Sequence, residues 1–270
     1  MILTVDHVTT YRYSAPVRAM VQSHRLTPAQ FDGQKVLSWE VAVTEGTPGG
    51  AFRDGAGDLI QGWTVVGPIA EITVTVRGRV DTFDTAGVLR GHRATVNPCC
   101  YLRDTMRTRM DAALADLAAP VLDEVGPDDP LTRAHRLSAA VSDAILWQPG
   151  ATQVQTTAAE ALTRGAGVCQ DHAHALIALA RHAGLPARYV AGYMFTGDQP
   201  GEAAHAWTEI HIRGLGWVGF DPANRCCPDA RYVRLGSGLD AQDAAPIRGI
   251  ARGGADESMD VAVAVRAAQQ

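Results

Sequence analysis

The stretch from Arg164 to Tyr193 constrains this chain more than any other. It opens on a glycine-broken segment, RGAGVCQ, and passes into DHAHALIALARHAGLPARYVAGY. Ala173, Leu176, Ile177 and Ala180 recur at the spacing that lines one face of a helix. Gly184 and Pro186 stop that helix. Arg188 to Tyr193 then reads as a short strand, and Ala206 to Ile212 and Gly216 to Phe220 read as two more around the turn Arg213-Gly214-Leu215. A helix that starts near a cysteine and is followed by three strands predicts an α+β unit.

The first half predicts something else. Ile2 to Tyr13, Val36 to Val43, Leu59 to Val66 and Ile69 to Val80 carry β-branched residues, several in strict alternation: Ile72, Val74 and Val76 against Thr73, Thr75 and Arg77. Short strands with Gly/Pro turns predict a β-sandwich or partly open barrel. A helix follows over Thr105 to Ala118, with Pro120 and the run DEVGPDDP as a break. Another starts at Asp129–Pro130 and carries Leu137, Val141 and Ile145 on its apolar face. The expected layout is a β-rich domain over residues 1–90, a helical connection over 91–130, an α+β domain over 131–252 and a frayed tail over 253–270.

Composition narrows the function classes. A formal charge of -5 argues against nucleic acid, which needs a concentrated basic surface. No apolar run is long enough to span a bilayer, and MILTVDHVTTYRYS lacks the basic and apolar regions of a secretory signal. The five cysteines, four of them in two adjacent pairs (Cys99–Cys100 and Cys226–Cys227), fit a reducing compartment with free thiols, with a bridge between the pairs left open. The expectation is a cytoplasmic protein that binds neither membrane nor nucleic acid; no oligomeric state follows.

Three residues carry the chemistry. Cys169 stands where a helix begins, and free N–H groups at a helix N-terminus stabilise a thiolate. His205, in EAAHAWTEI, stands where a loop meets a strand and is placed to act as base. Asp221, in GWVGFDPAN, ends an apolar strand, roughly opposite His205 if the hairpin turns near Gly214, and can fix the imidazole's tautomer. Each alone has an ordinary structural reading: buried cysteine, half-buried histidine, turn-capping aspartate. Together they meet the template of nucleophile, base and orienter. The Cys169 backbone N–H would stabilise an oxyanion, with Gln155 or Trp147 as candidates for a second donor. Asp171, His172 and His174 crowd near Cys169, but this spacing does not converge on a metal as zinc ligands do. Neither metal nor cofactor is expected.

GAGVCQDHAH, AAHAWTEI and GWVGFDPAN resemble the transglutaminase-like superfamily, and HVTTYRYSAPV, SHRLTPA and PIRGI resemble its bacterial branch, which carries a β-rich N-terminal domain. The resemblance implies a papain-like α+β fold, with Cys169 as nucleophile, His205 as base, Asp221 as orienter, and Asp171 and Trp207 as structural supports. It implies a peptide or protein amide as substrate. The triad does not choose between hydrolysis and amine transfer; the bacterial resemblance favours hydrolysis, and no calcium loop of the D-x-[DN]-x-[DN]-G kind is present. A non-catalytic binding module is the alternative of another class. Cys226 and Cys227 read as buried wall, as a redox partner for Cys169, or as nothing functional.

Overall fold

The computed structural model describes residues 1–197 and 203–268. Its first sheet is built on two very long strands, β1 (Ile2–His24) and β4 (Leu59–Thr82). They run antiparallel, with register shifts between Arg12 and Val17 and between Val17 and Ala19. Such irregularities bend a strand, and here they divide the sheet into two halves. In one half β2 (Gln34–Val43) flanks β4, and in the other β3 (Thr47–Arg53) does. Alternation drives the burial: Leu3 and Val5 of β1 and Val74, Val76 and Val80 of β4 are buried, while their neighbours face out.

After a 3-10 turn at Pro98–Leu102 the chain forms α1 (Ala112–Glu124) and α2 (Pro130–Ala144). α1 begins later than the apolar periodicity suggested, because the Asp111 carboxylate caps it by accepting from Leu114 N at 2.9 Å. It also runs through Pro120. That proline and Asp116, whose carbonyl loses its helical donor, both lie on the exposed side, where water can replace the missing bond. Then come β5 (Leu146–Trp147), α3 (Ala158–Arg164) and β6 (Ala166–Gly167), with β5 and β6 forming a parallel pair. The helix α4 (Cys169–His182) follows. Next come β7 (Ala187–Met194), β8 (Ala204–Ile212), β9 (Gly216–Phe220) and β10 (Tyr232–Gly238), in an antiparallel sheet of order β10-β7-β8-β9.

The two faces of this sheet differ in kind. Ala187, Tyr189 and Ala191 of β7 and Ala206, Ile210 and Ile212 of β8 pack with α4 in one apolar core. The register puts polar groups on the other face: Arg188 opposite Glu209, Val190 opposite Trp207, and Gly192 opposite His205. From the other side of β7, Arg234 pairs with Gly192 and Tyr232 with Met194. Gly192 is the gap that joins these side chains across β7. A Cβ there would stand 2.2 Å from the Val233 carbonyl oxygen and 2.7 Å from the Trp207 ring.

The first sheet closes part of this polar face. Arg234 Nη1 donates to Asp58 Oδ1 at 2.6 Å and its Nε to Glu209 Oε1 at 2.8 Å; Arg188 Nε donates to Glu209 Oε2 at 2.7 Å. All four side chains are buried. Arg188 finds no hydrogen-bond partner for its Nη atoms among the described residues; its guanidinium instead lies over the Trp217 ring, 4.1 Å from the centroid.

The end of the chain corrects the expected frayed tail over 253–270. β11 (Ile247–Arg252) and β12 (Glu257–Ala267) return to the first sheet and pair with the two halves of β1. The ladder with β1, formed between segments far apart in sequence, orders a segment that buries little: Val265 is its one buried side chain. Gln269 and Gln270 lie outside the described residues.

Candidate active site

Cys169 is the first residue of α4. Its approach is fixed by Gly167 and Asp171. The Asp171 carboxylate accepts from Val168 N at 2.8 Å and from the Thr152 hydroxyl, which caps the helix. A Cβ on Gly167 would meet Asp171 Cβ at 2.7 Å, so a glycine is required for the turn to close on its cap. The cap leaves Cys169 half-buried, at a helix end whose first N–H groups have no intrahelical acceptor.

His205 is the second residue of β8, and Asp221 directly follows β9. The ladder sets Thr208 opposite Phe220, so its continuation places Asp221 opposite Trp207 and diagonal to His205 rather than directly across from it. The side chains meet on that diagonal: His205 Nε2 lies 2.6 Å from Asp221 Oδ2. The Cys169 thiol lies close enough to bear on the charge of the same ring. The structure thus brings the three sequence-derived residues together, with a direct hydrogen bond between His205 and Asp221. Burial alone would lower the His205 pKa; the hydrogen bonds to Asp221 and Cys169 and their charges outweigh it and push it up to about 10. Asp221 responds the opposite way. Its burial would raise it, but His205, Asn224 and Tyr232 hold it below the usual carboxylate range.

Two members of the cluster were not assigned roles from sequence. Asn224 donates to Asp221 through Nδ2 at 2.8 Å and through its backbone N–H at 3.2 Å. The Tyr232 hydroxyl donates to Asp221 Oδ2 at 2.7 Å. Trp207, expected as a support, stacks on the His205 ring at 6.4 Å between centroids and meets Tyr232 edge-on at 5.5 Å. Of the two second-donor candidates, Gln155 spends its amide on Gln153 Oε1, whereas Trp147 pairs with Gly167, two residues before Cys169, and is half exposed.

The crowded histidines near Cys169 serve the backbone. Both ring nitrogens of His172 meet carbonyl oxygens, of Val168 and Ile145, each at 2.9 Å. His174 Nε2 accepts from Ala241 N at 3.1 Å, and burial pushes its pKa down to about 3. The five cysteines are unpaired. Cys226 and Asp221 form an isolated β-bridge, and Cys226 Sγ reaches the Tyr232 hydroxyl at 3.3 Å. Cys227 packs at the edge of the helical core. Burial raises both thiols, Cys227 to about 11, which opposes the reactivity a redox partner needs.

Known proteins share this fold and sequence. Residues 119–222 match the transglutaminase-like superfamily core, and residues 3–81 match the bacterial transglutaminase-like N-terminal region. The chain belongs to the transglutaminase-like superfamily, and its N-terminal region is that of the bacterial members. It is 27% identical to the uncharacterized protein ML0607 of Mycobacterium leprae, over 97% of this chain and 98% of that one. It is 29% identical to the uncharacterized protein Rv2569c of Mycobacterium tuberculosis, over 97% and 91%. A crystal structure from Cytophaga hutchinsonii, described as a candidate cysteine protease, shares the fold with a TM-score of 0.75 at 23% identity, covering 100% of this chain and 92% of that one. No helix among the described residues is long and apolar enough to cross a membrane.

Proposed function

We propose that the protein hydrolyses an amide or peptide bond through a thioester on Cys169, as a cysteine peptidase or amidase does. The observation that carries this reading is the gathering of Cys169, His205 and Asp221 at one site, with His205 Nε2 2.6 Å from Asp221 Oδ2 and the Cys169 thiol close enough to favour the charged imidazole. With Nε2 committed to Asp221, the His205 ring offers Nδ1 to the thiol, the geometry of a thiolate–imidazolium pair. The Cys169 sulfur attacks the amide carbonyl carbon, and the carbonyl π electrons move onto oxygen. The Cys169 backbone N–H, at the helix N-terminus, faces that developing charge; Trp147 is the second donor we assign. His205 gives its proton to the leaving nitrogen as the C–N bond breaks, which releases the amine and leaves the thioester. Water then attacks the thioester, His205 takes a proton from it, and the carboxylic acid departs as the sulfur is restored. The net reaction is amide plus water to acid plus amine.

The substrate is a peptide or protein amide. Similarity to a structure described as a candidate cysteine protease supports hydrolysis over amine transfer. The test offers a peptide library to the wild-type protein and to Cys169→Ala, with and without a primary amine. Cleaved or deamidated products that require Cys169 and persist without amine support hydrolysis. Products that form only with amine would assign acyl transfer, and no product under any condition would favour a binding module.

A further inference from the structure

We propose that Tyr232 is a positioning residue of this site: its hydroxyl holds Asp221 in the orientation that serves His205, and the Cys226 thiol orients that hydroxyl. The inference rests on the triad reading of Cys169, His205 and Asp221 and adds two residues to it. Three donors converge on Asp221 Oδ2: His205 Nε2 at 2.6 Å, Tyr232 Oη at 2.7 Å and Asn224 Nδ2 at 2.8 Å. A phenol has one proton. It goes to the carboxylate, because an ionised carboxylate only accepts. The 3.3 Å contact between Tyr232 Oη and Cys226 Sγ is then directed the other way, with the thiol donating to the phenol oxygen. The order Cys226 to Tyr232 to Asp221 from one side, and His205 to Asp221 from the other, is fixed by this count.

Tyr232 does not itself touch the reacting atoms, since it is buried behind Asp221 at 5% exposure. It comes from β10, which is separated from β8 by β7, and reaches the site past Gly192. Its ring also packs edge-on against His205 and Trp207. A donor reaching Asp221 from a different strand restrains the carboxylate in a direction that Asn224, three residues along the same loop, does not. Burial, the Asp221 charge and the Cys226 contact all hold the phenol in its protonated, donating form.

Tyr232→Phe keeps the ring and removes the donor; Tyr232→Leu removes both. The readout is the rate of Cys169 alkylation by iodoacetamide against pH, in folded protein verified by circular dichroism. Loss of a donor to the charged form of Asp221 raises its pKa. The acid limb of the Tyr232→Phe profile is therefore expected to move up by about one pH unit, with labelling on that limb reduced several-fold. The His205 Nε2–H proton resonance is expected to move with it. A Tyr232→Phe profile superimposable on wild type, with the resonance unmoved, would overturn the inference. That holds even if Tyr232→Leu unfolds, because the ring alone would then be what matters. If wild-type labelling were itself indifferent to His205→Ala, the triad reading would fail and this inference with it. A His205-dependent wild type with an unshifted Tyr232→Phe sinks the role of Tyr232 alone.

Discussion

His205 and Glu209 stand on the same face of β8, and both are buried, yet their surroundings do opposite things with charge. Around Glu209 two carboxylates meet two guanidiniums, and Arg234 bridges Glu209 to Asp58, which directly precedes β4 of the first sheet. The formal charges cancel. Around His205 a carboxylate accepts from three side-chain donors, and the thiol that bears on the ring stays half-buried. The first cluster is closed on itself and joins two sheets. The second ends in an atom that something else can reach. Buried charge alone therefore does not mark a candidate reactive site; a buried pair with one open end does.

Substitutions should separate the two clusters. Cys169→Ala is expected to abolish turnover, by on the order of a thousand-fold or more, while the melting temperature stays near wild type, because the change removes a single half-buried sulfur. Arg234→Ala should do the reverse. It strands Asp58 and Glu209 without their shared cation and is expected to cost about 3–5 kcal/mol, read as a lower denaturation midpoint. Gly192→Ala should erase the distinction, since its Cβ would collide with Val233 and Trp207 between the clusters. About 1–3 kcal/mol of destabilisation, with loss of Cys169 reactivity, is the expected pair of readouts.

The clusters should also fail at opposite ends of the pH scale. Glu209 is held down at about 2 against an ordinary 4.5: burial opposes its charge, but Arg234 and Arg188 outweigh burial. Its contribution to stability is complete above pH 4.5 and is lost as pH falls toward 2. His205 is held up at about 10 against 6.5, so its contribution is complete below pH 6.5 and is lost as pH rises toward 10. Denaturation midpoints of Glu209→Gln and His205→Ala, measured against pH, should approach wild type at the acid and alkaline edges respectively. Differences that are flat across pH in both variants would contradict the assignment.

Much of the site was legible because its motifs are local. The helix at Cys169, the strand that carries His205 and the strand that ends before Asp221 each declare themselves by period or by Gly and Pro boundaries. Tyr232 was not legible. β10 is buried on both faces, and its sequence YVRLGSG shows no alternation to read. β4 was read as two strands because Gly67–Pro68 looks like an end, whereas the ladder with β1 continues past it. β12 does alternate, at Val261, Val263 and Val265, but the contrast is weak and its partner is at the other end of the chain. α3 carried a readable signal, the capping box of Thr157 and Glu160. The buried ion cluster joins Asp58 to Arg234 over a separation no local pattern encodes.

The most direct test of the open cluster is alkylation of Cys169 by iodoacetamide from pH 4 to 9, with peptide mapping to separate it from the other cysteines, in wild type and in His205→Ala. An ordinary thiol reacts as its thiolate forms near pH 8.5. The expected result is rapid labelling of Cys169 at pH 5–6 that falls at least about ten-fold without His205. Labelling that follows an ordinary thiol, and is unchanged in His205→Ala, would contradict the nucleophile–base pair at the centre of the site.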